Sequence, residues 1–312
     1  MEYDIIGDVH GHADSLRALL ARMEYVESGG AYRHPSRQAI FVGDFVDRGP
    51  KQVETVDIVR RMVDAGTALA VMGNHELNAV AWYLPDPARS GEYLRVHEAP
   101  PWGEKNRKQH AAFLKEVEEK PDLHKELVQW FPSLPLWIEL PELRVVHACW
   151  HPEHLAWLEP WLEGGRCLTE GRMTEATREG SRAFVAIECL TKGVEIDLPN
   201  GVTFRDKDGH ERRRTRIRWW DEDAATYRDA AHLSPELCDQ LPHSPIPESA
   251  RVRGVGEKPL FVGHYWLTGE QRPLSKTVAC VDYSAGMGHP LVAYRFRGEA
   301  ELSPAGFVTS RS

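Results

Sequence analysis

The sequence predicts an α/β fold, in which helices cover a largely parallel or mixed sheet. Short β-branched runs recur along the 312 residues, and runs of this length are typical of strands buried on both faces. Helical periodicity follows the first two runs, so strand, loop and helix alternate as in a βαβ unit. Each run ends in Gly or His followed by polar residues. Since ligands bind at the carboxyl ends of such strands, a functional site is expected there.

The first strand is predicted over YDII at 3–6, and GDVHG at 7–11 follows it. A helix is expected next, because apolar residues recur at i, i+3, i+4 and i+7 and therefore share one face. These residues are Leu16, Leu19, Leu20 and Met23.

The second strand is predicted over AIFV at 39–42, and GDFVDRG at 43–49 follows it. Pro50 is expected to open a helix that ends just before Gly66, since Pro favours the first helical turn and Gly the position after the last. The inner side of this helix is predicted to contain Val53, Val56, Val59 or Arg60, and Val63.

Three later runs also end in candidate ligands. They are ALAVM at 68–72 before GNHE, LRVV at 143–146 before His147, and PLFV at 259–262 before GHYW at 263–266. Strands over 277–282 and 291–296 are predicted to close the sheet.

The middle of the chain has a different composition. It divides into a Pro- and Gly-rich surface excursion at 85–110, helices over 111–131 and parts of 152–192, two or three strands over 193–220, and a Pro-rich link at 235–259. Asn200-Gly201 and Asp208-Gly209 are hairpin dipeptides and are predicted as turns between those strands. We therefore expect one α/β domain over 1–312 with an inserted or cap-like segment at about 150–258.

Composition excludes several classes of protein. The formal net charge of −9 argues against nucleic acid or an anionic membrane as the main partner. The five cysteines are scattered without a C-x-x-C pair, which favours a reducing compartment over a disulfide framework or a thiolate zinc site. No apolar stretch approaches the roughly 20 residues of a membrane span, and the first strand leaves no room for a signal peptide. A cytoplasmic protein is predicted.

The polar residues behind the strands form a metal-ligand set without thiolates, which suits Mn, Fe, Zn or Mg. Its members are Asp8, His10, Asp44, Asn74, His147 and His264. Two divalent ions need a shared carboxylate and can hold a hydroxide between them, and Asp44 is the natural bridge. Taken singly, each residue has an ordinary alternative, such as a turn former or a helix cap. His151 and His154 are rivals to His147.

GDVHG, GDFVDRG and GNHE, followed by separated histidines, resemble the motifs of the calcineurin-like metallophosphoesterases. The resemblance is to the branch of the serine/threonine protein phosphatases and the bacterial diadenosine tetraphosphate hydrolases, and it is firm over 4–82. It implies a four-layer α/β/β/α sandwich with mixed sheets and two divalent metal ions, manganese first, with iron, zinc or magnesium as alternatives.

The resemblance also implies a role for each motif residue. Asp8 and His10 would hold the first ion, Asp44 would bridge, and Asn74, His147 and His264 would hold the second. His75 would be the general acid, oriented by Asp47, and Arg48 would bind the phosphate. The chain departs from the family pattern at His147-Ala148-Cys149, where protein phosphatases have His-Gly-Gly, and at His264, where many relatives have a His-x-His pair.

The motifs indicate the type of reaction more closely than they indicate the substrate. ERRRTRIR at 211–218, before Trp219 and Trp220, is either a basic groove for nucleotides or a solvated hairpin face. Arg216 or Arg218 would be a second phosphate contact, and Tyr265 either faces the pocket or packs in the core.

Three functions are consistent with these residues. The first is a phosphomonoesterase of the protein-phosphatase type, and the second is a dinucleoside polyphosphate hydrolase, which needs an extended cationic cleft and a base-stacking platform. The third is a non-catalytic metal or nucleotide sensor, which would not need a proton donor at His75. The expected substrate is a phosphoprotein, a nucleotide or a small phosphoester.

Overall fold

The computed structural model describes residues 2–163, 165–199, 201–205 and 211–311. The strands within these ranges are β1 (Glu2–Ile6), β2 (Val26–Ser28), β3 (Ala31–Arg33), β4 (Arg37–Phe41), β5 (Ala68–Ala70), β6 (Trp137–Glu139), β7 (Arg144–Val146), β8 (Glu195–Asp197), β9 (Phe204–Arg205), β10 (Glu211–Arg212), β11 (Arg214–Arg216), β12 (Leu260–Val262), β13 (Val278–Cys280), β14 (Val292–Phe296) and β15 (Phe307–Thr309). The helices are α1 (Ala13–Arg22), α2 (Gln52–Asp64), α3 (Asn74–Tyr83), α4 (Gly103–Val117), α5 (Pro121–Trp130), α6 (Pro152–Trp161), α7 (Glu170–Ala176), α8 (Arg182–Lys192), α9 (Tyr227–Ala230) and α10 (Pro235–Cys238).

Two mixed sheets form the centre of the fold. The first has the order β15-β14-β1-β4-β5 and the second the order β13-β12-β7-β6. Parallel pairing joins β1 to β4 and β4 to β5, and it also joins β12 to both β7 and β13. The expectation that 277–282 and 291–296 close a single sheet is wrong, because β13 pairs with β12 whereas β14 returns antiparallel to β1.

The two sheets pack face to face through a buried apolar layer. Its members come from strands of both sheets and their tips and include Ile5, Ile40, Val42, Val145, Phe261, Val281 and Tyr294. Residues on the outer faces, such as Phe41 and Val262, belong to a second cluster that also contains the apolar faces of the helices. The layers are therefore helix, sheet, sheet and helix.

The first helices lie close to their predicted positions. Leu16, Leu19 and Leu20 are fully buried on α1, as their spacing requires. The second helix begins at Gln52 rather than at Pro50, with Lys51 as its N-cap. Gly66 follows its end at φ +68°, a conformation that glycine adopts without strain.

The middle segments differ more from expectation. The segment 85–110 is not a surface excursion throughout, because α4 begins at Gly103 and His110 on it is 2% exposed. In the segment 193–220, β8 pairs with β11 and β9 pairs with β10. The predicted turn at Asp208-Gly209 and the first residue of the turn at Asn200-Gly201 lie outside the described residues.

The chain was also searched for membrane-spanning helices. Among the described residues, no helix combines the length and the apolar character that a bilayer crossing requires.

Candidate metal centre

The loops behind five strands meet at one end of the two sheets. Asp8 and His10 follow β1, Asp44 follows β4, Asn74 opens α3 after β5, His147 follows β7, and His264 follows β12. All six side chains are buried, none with more than 4% exposed. The structure therefore brings together every residue of the predicted ligand set.

Asp44 lies at the middle of this cluster. Its Oδ2 atom is 3.3 Å from His147 Nε2, 3.7 Å from His10 Nε2 and 3.8 Å from His75 Nε2. Two groups with the spacing of a metal site share this carboxylate, and in each the ligand atoms lie within 4.8 Å of one another. The groups are His10, Asp44 and His75, and Asp44, His147 and His264.

Asp8 and Asn74 are the remaining two predicted ligands, and both contact His264. Asn74 Oδ1 lies 2.9 Å from His264 Nδ1 and 3.2 Å from His147 Nε2. Asp8 Oδ2 accepts a hydrogen bond of 3.0 Å from the backbone N–H of His264. The first and last of the predicted ligands are thus in direct contact although they are separated by 256 residues.

Buried polar atoms without a hydrogen-bond partner are a second reason why these residues fit divalent cations. Buried polar atoms are normally hydrogen-bonded, yet Asp8 Oδ1, His10 Nε2 and His264 Nε2 have no such partner. His10 donates from Nδ1 to Val46 O at 2.9 Å, and His147 does so to Val42 O at 2.6 Å. This fixes the tautomer and leaves Nε2 of both rings for a metal.

Burial and neighbouring charges set the protonation of the cluster. Burial lowers the pKa of His10 to about 3, so the ring is the neutral imidazole that a ligand must be. Burial would raise the pKa of Asp44, but His147 and His75, when protonated, outweigh it and hold that pKa well below its usual range. Burial, reinforced by Asp282 and Asp44, raises the pKa of Asp8.

Asp47 connects two histidines beside the cluster. Its Oδ2 atom lies 2.5 Å from His75 Nδ1, and its Oδ1 atom lies 2.7 Å from His110 Nδ1. Burial opposes a charge on His75, but Asp44 and the bond with Asp47 raise its pKa above the ordinary value. His110 could not be found from the sequence, because it belongs to α4 and only the tertiary fold brings that helix to Asp47.

Glu76 has a role that the sequence did not reveal. The motif GNHE alone indicates only a helix start, and the helix α3 indeed begins here with Gly73 as its N-cap and Glu76 in its first turn. The Glu76 carboxylate accepts hydrogen bonds from the backbone N–H groups of Asp44, Phe45 and Gly73 at 2.8, 2.7 and 3.0 Å. It therefore fixes the loop that carries the shared carboxylate.

The backbone of these loops is unusual. Non-glycine residues with positive φ cluster here, and they include His10 (47°), Asp44 (54°), Asp47 (70°), Arg48 (75°) and His264 (71°). Such conformations cost about 1–3 kcal/mol each and persist where the surrounding structure enforces them, commonly at functional sites.

A cleft of about 570 Å³ opens over the cluster. Its basic lining residues are Arg48, Arg95, Lys105, Lys108, Lys192, Arg212 and Arg216. Among the described residues Asp44 is the only carboxylate in its wall, and Trp102 and Trp266 supply aromatic surface. The Arg48 guanidinium lies 4.1 Å from the centre of the Trp266 ring. Arg95 is held by Asn78 and Gln109 at 2.6 and 2.8 Å.

Two of the residues predicted to bind substrate do not line this cleft. Tyr265 is buried, its hydroxyl accepts from Trp219 Nε1 at 2.7 Å, and it donates to Ala148 O at 3.0 Å, so the core-packing alternative applies. Arg218 lines two other cavities, beside Asp221 and Glu222. Arg216 lines the cleft instead.

The rival histidines stand apart from the cluster. His151 is the N-cap of α6, and its ring stacks on that of His154 at 4.0 Å. Neither residue belongs to the two groups around Asp44, so the structure favours His147 as the ligand from this part of the chain.

Comparisons with known proteins agree with this geometry. A sequence model of the calcineurin-like phosphoesterases matches residues 1–259. The bis(5'-nucleosyl)-tetraphosphatase PrpE (asymmetrical) of Oceanobacillus iheyensis is 29% identical over 157 residues, which are 50% of this chain and 58% of that protein. The protein of the same name from Halalkalibacterium halodurans is 47% identical over 76 residues, or 24% of this chain and 31% of that one.

A solved structure supports the fold. The protein serine/threonine phosphatase of Saccharomyces cerevisiae has a TM-score of 0.50 and 16% identity, with 99% of this chain and 79% of that chain covered. This level of similarity concerns the fold alone. The chain spans less than two thirds of the length of the curated relatives described above.

Proposed function

The chain belongs to the calcineurin-like phosphoesterase family, and we propose that it hydrolyses the polyphosphate chain of dinucleoside tetraphosphates. The family makes it a phosphoester hydrolase. The choice of substrate within that class is the proposal, and it ranks the dinucleotide above the phosphomonoester that the motifs first suggested.

The observation that carries the proposal is the composition of the cleft. A phosphomonoester needs only the metal centre and Arg48, whereas seven basic side chains line a cleft of about 570 Å³. Such an arrangement suits a long polyanion, because a row of cations neutralises successive phosphates. Trp102 and Trp266 in the same wall are aromatic surfaces on which bases can stack. The curated relatives support the same substrate through their name.

Two divalent cations would be held by the predicted ligands. Asp8, His10 and Asp44 would hold one, and Asp44, Asn74, His147 and His264 the other. When bound, such ions act as Lewis acids that activate water and neutralise phosphoryl charge. The donor set suits manganese, iron, zinc or magnesium, and manganese is our first choice.

The side chains around the ions would perform the remaining steps. Arg48 presents a planar fork that can hold two phosphoryl oxygens. Asp47 keeps the proton of His75 on Nδ1 in the neutral ring, so Nε2 is the atom that would carry a proton to the departing oxygen. That transfer matters less when the leaving group is itself a phosphate, whose pKa is about 6, than when it is an alkoxide.

The cap-like segment at about 150–258 contributes residues to the proposed substrate site. We propose that the insertion at about 150–258 closes one side of the cleft, since Lys192, Arg212 and Arg216 all come from it. The catalytic groups and a large part of the substrate-binding wall would then come from different parts of the chain.

The experiment compares three substrates on manganese-loaded protein. Diadenosine tetraphosphate, a phosphoserine peptide and p-nitrophenyl phosphate are assayed for kcat/KM, and the nucleotide products are resolved by anion exchange. We expect the highest value for the dinucleotide. A higher kcat/KM for the phosphopeptide would favour the protein-phosphatase function instead. No turnover of any of the three substrates would favour the non-catalytic metal or nucleotide sensor.

A further inference from the structure

A second cavity lies next to the catalytic cleft. It has a volume of about 690 Å³ and shares Trp102, Arg212 and Arg216 with the cleft. Its other lining residues are Glu195, Phe204, Glu211, Arg213, Arg214, Thr215, His232 and Leu233. Pockets of about 300–1,000 Å³ are typical of small-molecule sites, so the cavity is large enough for a nucleoside.

The two cavities differ in chemistry. The cleft carries seven basic side chains around the metal centre. The second cavity has four arginines and two glutamates, and it adds Phe204, His232 and Leu233, which are aromatic or apolar. Arg216 stands between the cavities, with its Nε 3.5 Å from Glu195 Oε1. A ligand that reaches from the metal centre into the second cavity would therefore meet the cations of the cleft first, and then a wall in which rings stand beside charged groups of both signs.

Trp102 stands at the junction of the two cavities. Its side chain is 54% exposed, which is unusual for the largest apolar residue. The Lys105 ammonium lies 4.9 Å from the centre of the ring, and this lysine also lines the catalytic cleft. An exposed indole beside cations is suited to stack on a base while the cations hold the adjoining phosphates.

We propose that this cavity is a nucleoside subsite, in which Trp102 stacks on the base of the nucleotide whose phosphates extend past Arg216 to the metal centre. The ligand class is a nucleoside at the end of a polyphosphate chain. The inference rests on the proposed function and adds to it the location of one nucleoside.

The test replaces the indole and compares two substrates. In Trp102→Ala we expect the ratio of kcat/KM for diadenosine tetraphosphate to that for p-nitrophenyl phosphate to fall about 5- to 150-fold, because stacking on a base is worth about 1–3 kcal/mol. Trp102→Phe should recover most of the ratio. Trp157→Ala is the matched control, since Trp157 on α6 also lies against a cation, Arg182 at 4.8 Å, but lines neither cavity.

An unchanged ratio in Trp102→Ala, or an equal fall in Trp157→Ala, would overturn the subsite. Calorimetric binding of ATP to wild type and Trp102→Ala separates this failure from failure of the proposed function. If wild type does not hydrolyse the dinucleotide but binds ATP at least fivefold more tightly than Trp102→Ala does, the subsite stands and the proposed substrate is wrong. Equal ATP affinities would overturn the subsite.

Discussion

The metal centre and the wall of the cleft are built in opposite ways. The centre consists of buried side chains directly behind strands, and three of them, His10, Asp44 and His264, have left-handed backbone conformations. The wall consists of long basic side chains and an exposed Trp102. These come from α4, α8, β10 and β11 and from the loops that carry Arg48, Arg95 and Trp102. Each predicted ligand of the centre follows a strand directly, whereas the residues of the wall come from loops, helices and strands without a common motif.

This difference separates chemistry from specificity. A change in the centre is expected to affect every substrate, because all of them react at the same place. A change in the wall is expected to affect only substrates long enough to reach it. Four substitutions test this distinction, in order of decreasing effect.

Asp44→Ala is expected to have the largest effect. It removes the carboxylate that both proposed ions would share, so the protein should lose bound metal and fall to background turnover with every substrate. Elemental analysis and p-nitrophenyl phosphate assays measure the two losses together. Asp57→Ala, which removes an exposed carboxylate paired with Arg61 on α2, is the control. An Asp44→Ala protein that retained full metal and activity would contradict the shared-carboxylate site.

His75→Ala should retain metal but lose activity. The absence of a proton donor costs on the order of 10²–10⁴-fold, and the loss should be greatest with a poor leaving group. We therefore expect a larger deficit with phenyl phosphate than with p-nitrophenyl phosphate, measured as kcat. Equal deficits with the two substrates would mean that His75 does not protonate the leaving oxygen.

His110→Leu should lower activity about tenfold. It removes the 2.7 Å hydrogen bond to Asp47. Hydrogen bonds to charged groups contribute about 1.5–3 kcal/mol. Because His110 acts on the reaction only by positioning Asp47, only part of that energy should be lost from transition-state stabilisation. In a His75→Ala background the same change should have little further effect, since the two residues act through one carboxylate. His110→Asn keeps a donor near Nδ1 and is the rescue variant. Additive losses in the double variant would assign His110 a purely structural role.

Arg216→Gln should have the smallest and most selective effect. The side chain is partly exposed, so a phosphate contact is worth about 1 kcal/mol, and KM for diadenosine tetraphosphate should rise about fivefold. Arg218→Gln is a close control, because Arg218 lies two residues away but outside the cleft. Equal changes in the two variants would indicate a general charge effect instead of a contact at Arg216.

The difference between the metal centre and the wall of the cleft also explains which residues could be predicted from the sequence. The six candidate ligand positions follow from short motifs placed behind buried strands, because ligands bind at the carboxyl ends of strands in such sheets. His110 could not be placed in that way, because it reaches Asp47 through a helix 63 residues away. Asp282 does stand at the end of the strand predicted over 277–282, but its place beside the site depends on the pairing of β13 with β12.

The sequence pattern alone could not predict where the arginine side chains of the basic segment at 211–218 lie. ERRRTRIR is predicted to be either a basic groove or a solvated hairpin face, and alternation alone would place Arg216 and Arg218 on one face. The strand β11 ends at Arg216, and the backbone N–H of Arg218 donates to Ala230 O at 2.7 Å, so the two side chains diverge. The four-layer arrangement implied by the resemblance is confirmed, but the sheet to which each closing strand belongs could not be predicted, because β1 pairs with β14 from the opposite end of the chain.

The hydrogen bonds of Glu76 have a consequence for how the enzyme is supplied with its ions. Three backbone amides are held by this carboxylate within the chain itself, so the loop around Asp44 keeps its shape through protein contacts. We therefore expect a chelated sample to stay folded and to be recharged simply by adding a divalent salt. Ion supply, and not refolding, would then limit how quickly the enzyme is switched on.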